Sequence, residues 1–487
     1  MFYGSTDRSS ETNQTASIPP IFNKSTKVSD EDFVDETEYL VPLKGLEEAS
    51  QNKSWSSYLG FLKDPLQQEH SEQEEERNNA AADMRLSMTS KFSAAYNIVS
   101  VSLALPMMEQ NYPIDAADQS ICSSSLMAGM IVGQLVGGTL GDIVGRHRAM
   151  AIVMFLQVFA SIGSALVVDW ENTMNIYIML AAWRFVLGVG CGGVYPLAAT
   201  LSAESAENVA QQGRLVALAF SMQGVGHFTV PVFAWILLKW LGIDRVGIAW
   251  RVLLGIGAAP GFALILLRST GRKSHPGGPN RPSAARHRVA PVSVVDAILL
   301  EKDLARKLVG TAGSWLLFDI VYYGNTLFQP IVLASAFSDE TLLGTARDVT
   351  LTALMALPGY FVSIAALNFQ TPRYIQMQGF LFMGILYGVI GAYFHRLAHL
   401  RWLLLTLYGL TFFFSNYGPN TTTFMLPSMT FSKPCRSTLN GVCAASGKVG
   451  ALLGSILFVP AAVELGENTV MMICAGISFI SLILTGY

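Results

Sequence analysis

The sequence predicts an all-α membrane protein: twelve transmembrane helices arranged as two six-helix halves. Three observations predict it. The chain of 487 residues is 51% hydrophobic and only 14% charged, with a mean hydropathy of +0.40, whereas soluble domains carry about 25% charged residues. Apolar segments of roughly 20 residues, the length that crosses a hydrocarbon core, recur along most of the chain, and inside a bilayer such segments satisfy their backbone groups as helices. A basic stretch rich in Pro and Gly, Arg268–Arg306, divides these segments into six and six.

In chain order, residues 1–83 form a polar tail with 17 Asp and Glu against 7 Lys and Arg. That composition predicts disorder, apart from a short amphipathic island at Trp55–Leu66. The N-terminal half, 84–267, holds spans near Ser90–Met108, Ile121–Leu140, Ala149–Val168, Asn175–Ser202, Leu215–Leu241 and Ile248–Leu267. The central loop, 268–306, follows. The C-terminal half, 307–487, repeats the arrangement near Leu308–Leu333, Val349–Leu367, Tyr374–Tyr393, Trp402–Phe424, Asn440–Val463 and Thr469–Leu484. Two packed halves predict a site between them near the midplane. Arg146, Arg148, Arg214, the central loop, Arg373, Lys433 and Arg436 share one side with both termini, which the positive-inside bias makes cytoplasmic. The plasma membrane is the expected location, with a vacuolar or other endomembrane as the alternative.

Several classes are excluded. The five cysteines show no metal spacing and most lie in predicted spans, so neither a disulfide framework nor zinc is expected. No nucleophile–base pair stands out, so the chain does not read as an enzyme, and no cofactor, metal or nucleic-acid partner is expected. The expected partners are the lipid bilayer and a small solute, with a proton or sodium gradient as the energy source open to it.

The stretch that carries most chemistry is Ser314–Pro330, SWLLFDIVYYGNTLFQP. Trp315, Asp319 and Tyr323 recur four apart and share one helix face. A carboxylate at membrane depth costs about 2.5–3.5 kcal/mol on insertion scales, so its default reading is functional; the alternative is a structural acid tied to a neighbouring helix. Between spans two and three stands GTLGDIVGRHR, where Gly138 and Gly145 allow close approach and Asp142 and Arg146 can form a charge clasp at the mouth of the bundle. Arg184 opens an R-x-x-x-G-x-G run in span four and calls for a buried acid or polar partner.

GTLGDIVGRHR resembles the G-x-L-x-D-x-x-G-R-x-(K/R) signature of the major facilitator superfamily, and Arg184 begins another pattern of that superfamily. Four further segments narrow the resemblance. GGVYPLAATLSAESA, FSMQGVG, SWLLFDIVYYGNTLFQ and NYGPNTTTFMLPSMTF with the CRSTLNGVCAASGKVGALLG that follows are similar, in order, to segments of the plant and fungal phosphate:proton symporters. The resemblance implies a substrate site of Tyr195, Gln223, Trp315, Asp319, Tyr323 and Asn420 with Lys448 nearby, and a cytoplasmic clasp of Gly138, Asp142, Gly145, Arg146 and Arg184. Tyr, Gln, Trp and Asn would donate to phosphate oxygens and Lys448 would add positive charge. Asp319 would repel phosphate when ionised and donate to it when protonated, so anion and proton binding would be coupled.

The chain departs from that family at acidic positions. Ala94, Asn97 and Val194 stand where the family has acids. The expectation is therefore a phosphate carrier coupled to protons through Asp319. The alternatives are a uniporter or exchanger of a phosphate ester (a glycerophosphodiester) or another organic anion, and a phosphate sensor that does not transport.

Overall fold

The computed structural model describes residues 55–168, 175–206, 209–270, 301–336, 341–431 and 436–486. The tail through residue 54, residues 271–300 of the central loop and the side chain of Asp142 lie outside the described residues. The chain divides into two compact units, Met1–Glu75 and Glu76–Tyr487. Of the first, residues 55–75 are described and are helical. Residues 55–83, expected in the polar tail, thus form helix; their Glu, Gln, Ala and Arg are strong helix formers, and propensity outweighs polarity there.

Fifteen α-helices are described. α1 is Trp55–Glu109, α2 Ala116–Val144, α3 Arg146–Ala165, α4 Ile176–Glu204 and α5 Val209–Leu241. The sixth span is broken into α6 (Val246–Ile256) and α7 (Ala259–Thr270), bent by 40°. The seventh starts with α8 (Leu304–Leu308), passes a π-turn at Val309–Gly313 and continues as α9 (Ser314–Ala336). α10 is Leu342–Ala366 and α11 Pro372–Ala398. The tenth span is α12 (Arg401–Ser415), a π-turn at Asn416–Asn420 and α13 (Thr421–Thr430). α14 (Arg436–Leu465) and α15 (Glu467–Gly486) complete the chain. With each broken pair counted once, the order is the twelve spans expected.

Among the described residues, eight helices are long and apolar enough to span a membrane by themselves, and nine if the bent α6–α7 pair is one span. Those that fall short are α1, α9 and the interrupted α12–α13. They are helices that bring polar groups to the centre, and α12 and α13 are also short, 15 and 10 residues.

The polarity pattern is that of a membrane bundle. Leu135, Phe155, Leu166, Val463 and Ile483 are each more than half exposed, while Ser93, Asn97, Gln157, Asn325, Gln376 and Thr421 are buried. Apolar groups on the outside meet lipid, and the buried polar groups hydrogen-bond to one another. Asn97 is an example: its amide donates to the carbonyls of Ser93 and Gly257 at 3.0 and 2.9 Å, the latter at the α6–α7 bend.

Close backbone contact sets the register of the central helices. α2 packs on α4, and α9 on α14. A Cβ added at Gly450 on α14 would stand 2.0 Å from the Leu316 carbonyl oxygen on α9, and one at Gly454 would stand 2.4 Å from that of Ile320. This contact lets Lys448 reach across to α9. Gly450→Ala is expected to force the two helices apart and destabilise the protein by about 1–3 kcal/mol, as overpacking does. Gly441→Ala, on the same helix with nothing within 4 Å of the added carbon, is the control; thermal melts of the two purified variants check it. α2 also packs on α14 and α5 on α10, and these two seams join the halves.

Candidate functional site

α9 presents Asp319 and Tyr323 one turn apart, as their spacing requires. Both are buried, as is Lys448 opposite them on α14. Lys448 Nζ donates to Asp319 Oδ2 at 2.8 Å and to Tyr323 Oη at 3.0 Å. Trp315, one turn earlier, is buried with its ring edge-on to Phe424, centroids 6.3 Å apart. It fills the space that the missing Cβ of Gly447 leaves, 2.5 Å from where that atom would stand.

The first half contributes Tyr195 from α4 and Gln223 from α5. Tyr195 Oη donates to Gln223 Oε1 at 2.9 Å, and Gln223 Nε2 approaches Asn420 Oδ1 at 3.5 Å across the interface between halves. Asn420 in turn donates to Tyr360 Oη and to Asn416 Oδ1, each at 2.8 Å. Asn420 reaches this point because the helix breaks there. Pro419 has no N–H to offer, Gly418 leaves helical geometry at φ −100, ψ −106, and the resulting π-turn widens the helix, as such turns do at functional sites. The hydroxyls of Thr421, Thr422 and Thr423 accept the freed register, donating to the carbonyls of Asn416, Gly418 and Pro419 at 2.7–2.9 Å.

The structure therefore brings two sets of polar contacts together, Tyr195–Gln223–Asn420 and Lys448–Asp319–Tyr323, with Lys448 Nζ 5.4 Å from the Tyr195 ring centroid between them and Trp315 at their edge. Phe220 and Phe424, one from each half, stack at 4.9 Å beside them. A cavity of about 30 Å³ adjoins the network, lined by His227, Tyr322, Gln329, Thr352 and Asn416 among others; that is room for water-sized guests. His227 Nδ1 is 3.1 Å from Tyr322 Oη, and among the described residues its Nε2 has no hydrogen-bond partner.

The predicted clasp is split. Gly145, at φ +90, ends α2 and opens α3, a backbone state glycine adopts without strain. Arg146 Nη1 donates to the Gly141 carbonyl at 3.2 Å, and its Nη2 lies 3.7 Å from Glu204 at the end of α4. A Cβ added at Gly138 would stand 3.9 Å from Pro196 Cβ on α4. Arg184 is not at this mouth. It stands twenty residues before Glu204 on α4, about 30 Å away at 1.5 Å per residue, buried and donating to the α1 carbonyls of Asn97 (2.8 Å) and Ile98 (3.1 Å). Its partner is a helix backbone, so it ties α4 to α1.

Two groups escaped sequence reasoning. Lys91 on α1 is 2% exposed with its ammonium 3.2 Å from the centroid of the Tyr195 ring; the sequence signal was a lysine inside the unusually polar start of span one. Asp348 on α10 is a second buried carboxylate, paired with Arg347 at 2.9 Å and with Arg401. Its arginines come from the starts of α10 and α12, away from Asp319.

A bundle of two six-helix halves with a buried, charged hydrogen-bond network across their interface defines a membrane transporter of the alternating-access class. The family model for the Major Facilitator Superfamily matches residues 88–455. Inorganic phosphate transporter PT2 of Toxoplasma gondii is 33% identical over 81% of this chain and 70% of its own length. Probable inorganic phosphate transporter 1-6 of Arabidopsis thaliana is 29% identical over 81% of this chain and 88% of its own. Among solved structures, the xylose transporter XylE from E. coli in a partially occluded inward-open conformation superposes with a TM-score of 0.62 at 14% identity, covering 83% of this chain and 97% of that one; that likeness shows the fold. The chain belongs to the Major Facilitator Superfamily and, within it, to the family of these inorganic phosphate transporters. It is a multi-pass membrane transporter and not an enzyme.

Proposed function

We propose that the protein carries inorganic phosphate across a membrane by alternating access, with Asp319 taking up a coupling proton. One observation carries the reading: hydrogen-bonding groups from both halves, Tyr195 and Gln223 from one and Tyr323, Asn420 and Lys448 from the other, converge on a single buried site. These side chains supply the N–H and O–H groups that a tetrahedral oxyanion accepts from. The names of the relatives support phosphate as that anion.

Ionised Asp319 competes with the substrate, because it holds Lys448 and repels a second anion. Protonation releases Lys448 to phosphate and turns the acid into a donor, so the two ligands favour each other's binding. The bias of Lys and Arg toward the Arg146 end supports a cytoplasmic position for that end and for both termini; the plasma membrane is the first choice of location, with a vacuolar or other endomembrane as the alternative. The test is uptake of labelled phosphate into vesicles reconstituted with the full chain. Saturable uptake that rises with an inward proton gradient is expected. Uptake that ignores the proton gradient and follows sodium would remove Asp319 from the coupling role. Phosphate binding with no flux under any gradient would make the protein a sensor.

A further inference from the structure

Among the described residues, Lys91 is the one charged group in the central network that the reading above does not use. Its side chain is 2% exposed, and among the described residues its Nζ has no hydrogen-bond partner. It lies 3.2 Å from the Tyr195 ring centroid, 4.6 Å from that of Phe220 and 5.3 Å from that of Phe424. Ring faces attract a cation, yet they leave three N–H donors unfilled. Among the described residues no hydrogen bond joins it to the carboxylate of the site, Asp319, whose Oδ2 accepts from Lys448. On the same helix, the nearby positions Ala94 and Asn97 are neutral.

Lys448 Nζ lies 5.4 Å from the centroid of the same Tyr195 ring. The two ammonium groups are therefore no more than about 9 Å apart, a range at which like charges in a buried site repel. An oxyanion with oxygens about 2.5 Å apart and charge-assisted hydrogen bonds of about 2.8 Å on either side spans about 8 Å. It can bridge them and remove the repulsion. With both lysines protonated, Lys91, Lys448 and ionised Asp319 together carry one excess positive charge, and protonation of Asp319 raises that to two.

We infer that Lys91 is a second cationic anchor for the substrate, and that the site is built for a doubly charged phosphoryl group held between Lys91 and Lys448 beside the Tyr195 ring. This rests on phosphate being the substrate. It assigns the unpartnered lysine a ligand and gives the site a preference: inorganic phosphate or a phosphomonoester over a singly charged diester.

The test is equilibrium binding of labelled inorganic phosphate to the full chain in lipid nanodiscs, with dimethyl phosphate as the singly charged competitor and with thermal melts of the same samples. In wild type, phosphate binds, unlabelled phosphate competes far better than dimethyl phosphate, and phosphate raises the melting temperature. Lys91→Met is expected to weaken phosphate binding about thirtyfold or more, as loss of one partner of a buried charge pair does, and to erase the preference over the diester. Its ligand-free melting temperature is expected to equal or exceed that of wild type, because an unpaired buried charge has been removed. Lys91→Arg, which keeps the charge, is expected to recover binding in part. Lys91→Gln gives the same reading should the Met variant not be recovered. Wild-type affinity in the neutral variants overturns the inference and leaves the phosphate reading standing. A ligand-free variant that melts lower, with binding lost in proportion, assigns Lys91 to packing and also overturns it. Absence of phosphate binding by wild type overturns both readings.

Discussion

Asp319→Asn is expected to abolish gradient-driven phosphate uptake, with a fall of at least about tenfold in flux, while phosphate still binds. Asparagine keeps the shape of the acid and can donate a hydrogen bond, so it imitates the protonated state. Lys448, which the structure holds on Asp319 Oδ2 at 2.8 Å, is then free for the anion in every step of the cycle. Binding persists, but the variant has no proton to release and no carboxylate to take Lys448 back, so unloading loses its drive. Parallel measurement of phosphate affinity and of vesicle uptake separates the two effects. Uptake at the wild-type rate would show that Asp319 is a structural partner of Lys448.

The second large effect is on stability. Lys448→Met leaves the Asp319 carboxylate buried beside Tyr323 without its cation, and breaking one side of a buried pair costs about 3–5 kcal/mol. Transport is expected to be lost, and the melting temperature of the purified protein to fall well below that of wild type. The double variant Lys448→Met with Asp319→Asn removes both charges. It is expected to regain most of the thermal stability, since a matched neutral pair costs little, and to regain no transport. A double variant that melts as low as the single one would mean that the pair is not the origin of the loss.

The site residues that were legible in the sequence were those whose side chains announce themselves inside an apolar run. Asp319 is an expensive acid, and its i±4 neighbours Trp315 and Tyr323 follow from helical spacing alone. Asn420 and Lys448 came from the resemblance of their segments alone, and the structure supplies the physical reason: the GPN break opens a π-turn, and Gly450 and Gly454 let two backbones touch. What the sequence hid depends on direction. Lys91 stood in plain view in SKFSAAYN, but whether a lysine near a span's start reaches outward to water or inward to a site is decided by which face of α1 meets Tyr195. Arg184 was placed at the wrong end for a related reason: an arginine in a span signals a polar partner without saying which. The partner proved to be two carbonyls of α1, a group that no side-chain motif reveals. The amphipathic island at Trp55–Leu66 was set apart from the disordered tail, but the helix at residues 67–83 was missed because polarity was read as disorder where helix propensity prevails.

The central claim is that one phosphate sits between the halves, among the groups that now bond to each other. An electron cryo-microscopy reconstruction of the full chain in nanodiscs with saturating phosphate tests it most directly. The account predicts tetrahedral density within hydrogen-bond distance of Lys448 and Lys91, flanked by Tyr195, Gln223, Tyr323 and Asn420, with the Asp319–Lys448 contact lengthened. Phosphate density elsewhere, with Lys448 still on Asp319 at 2.8 Å, would contradict it.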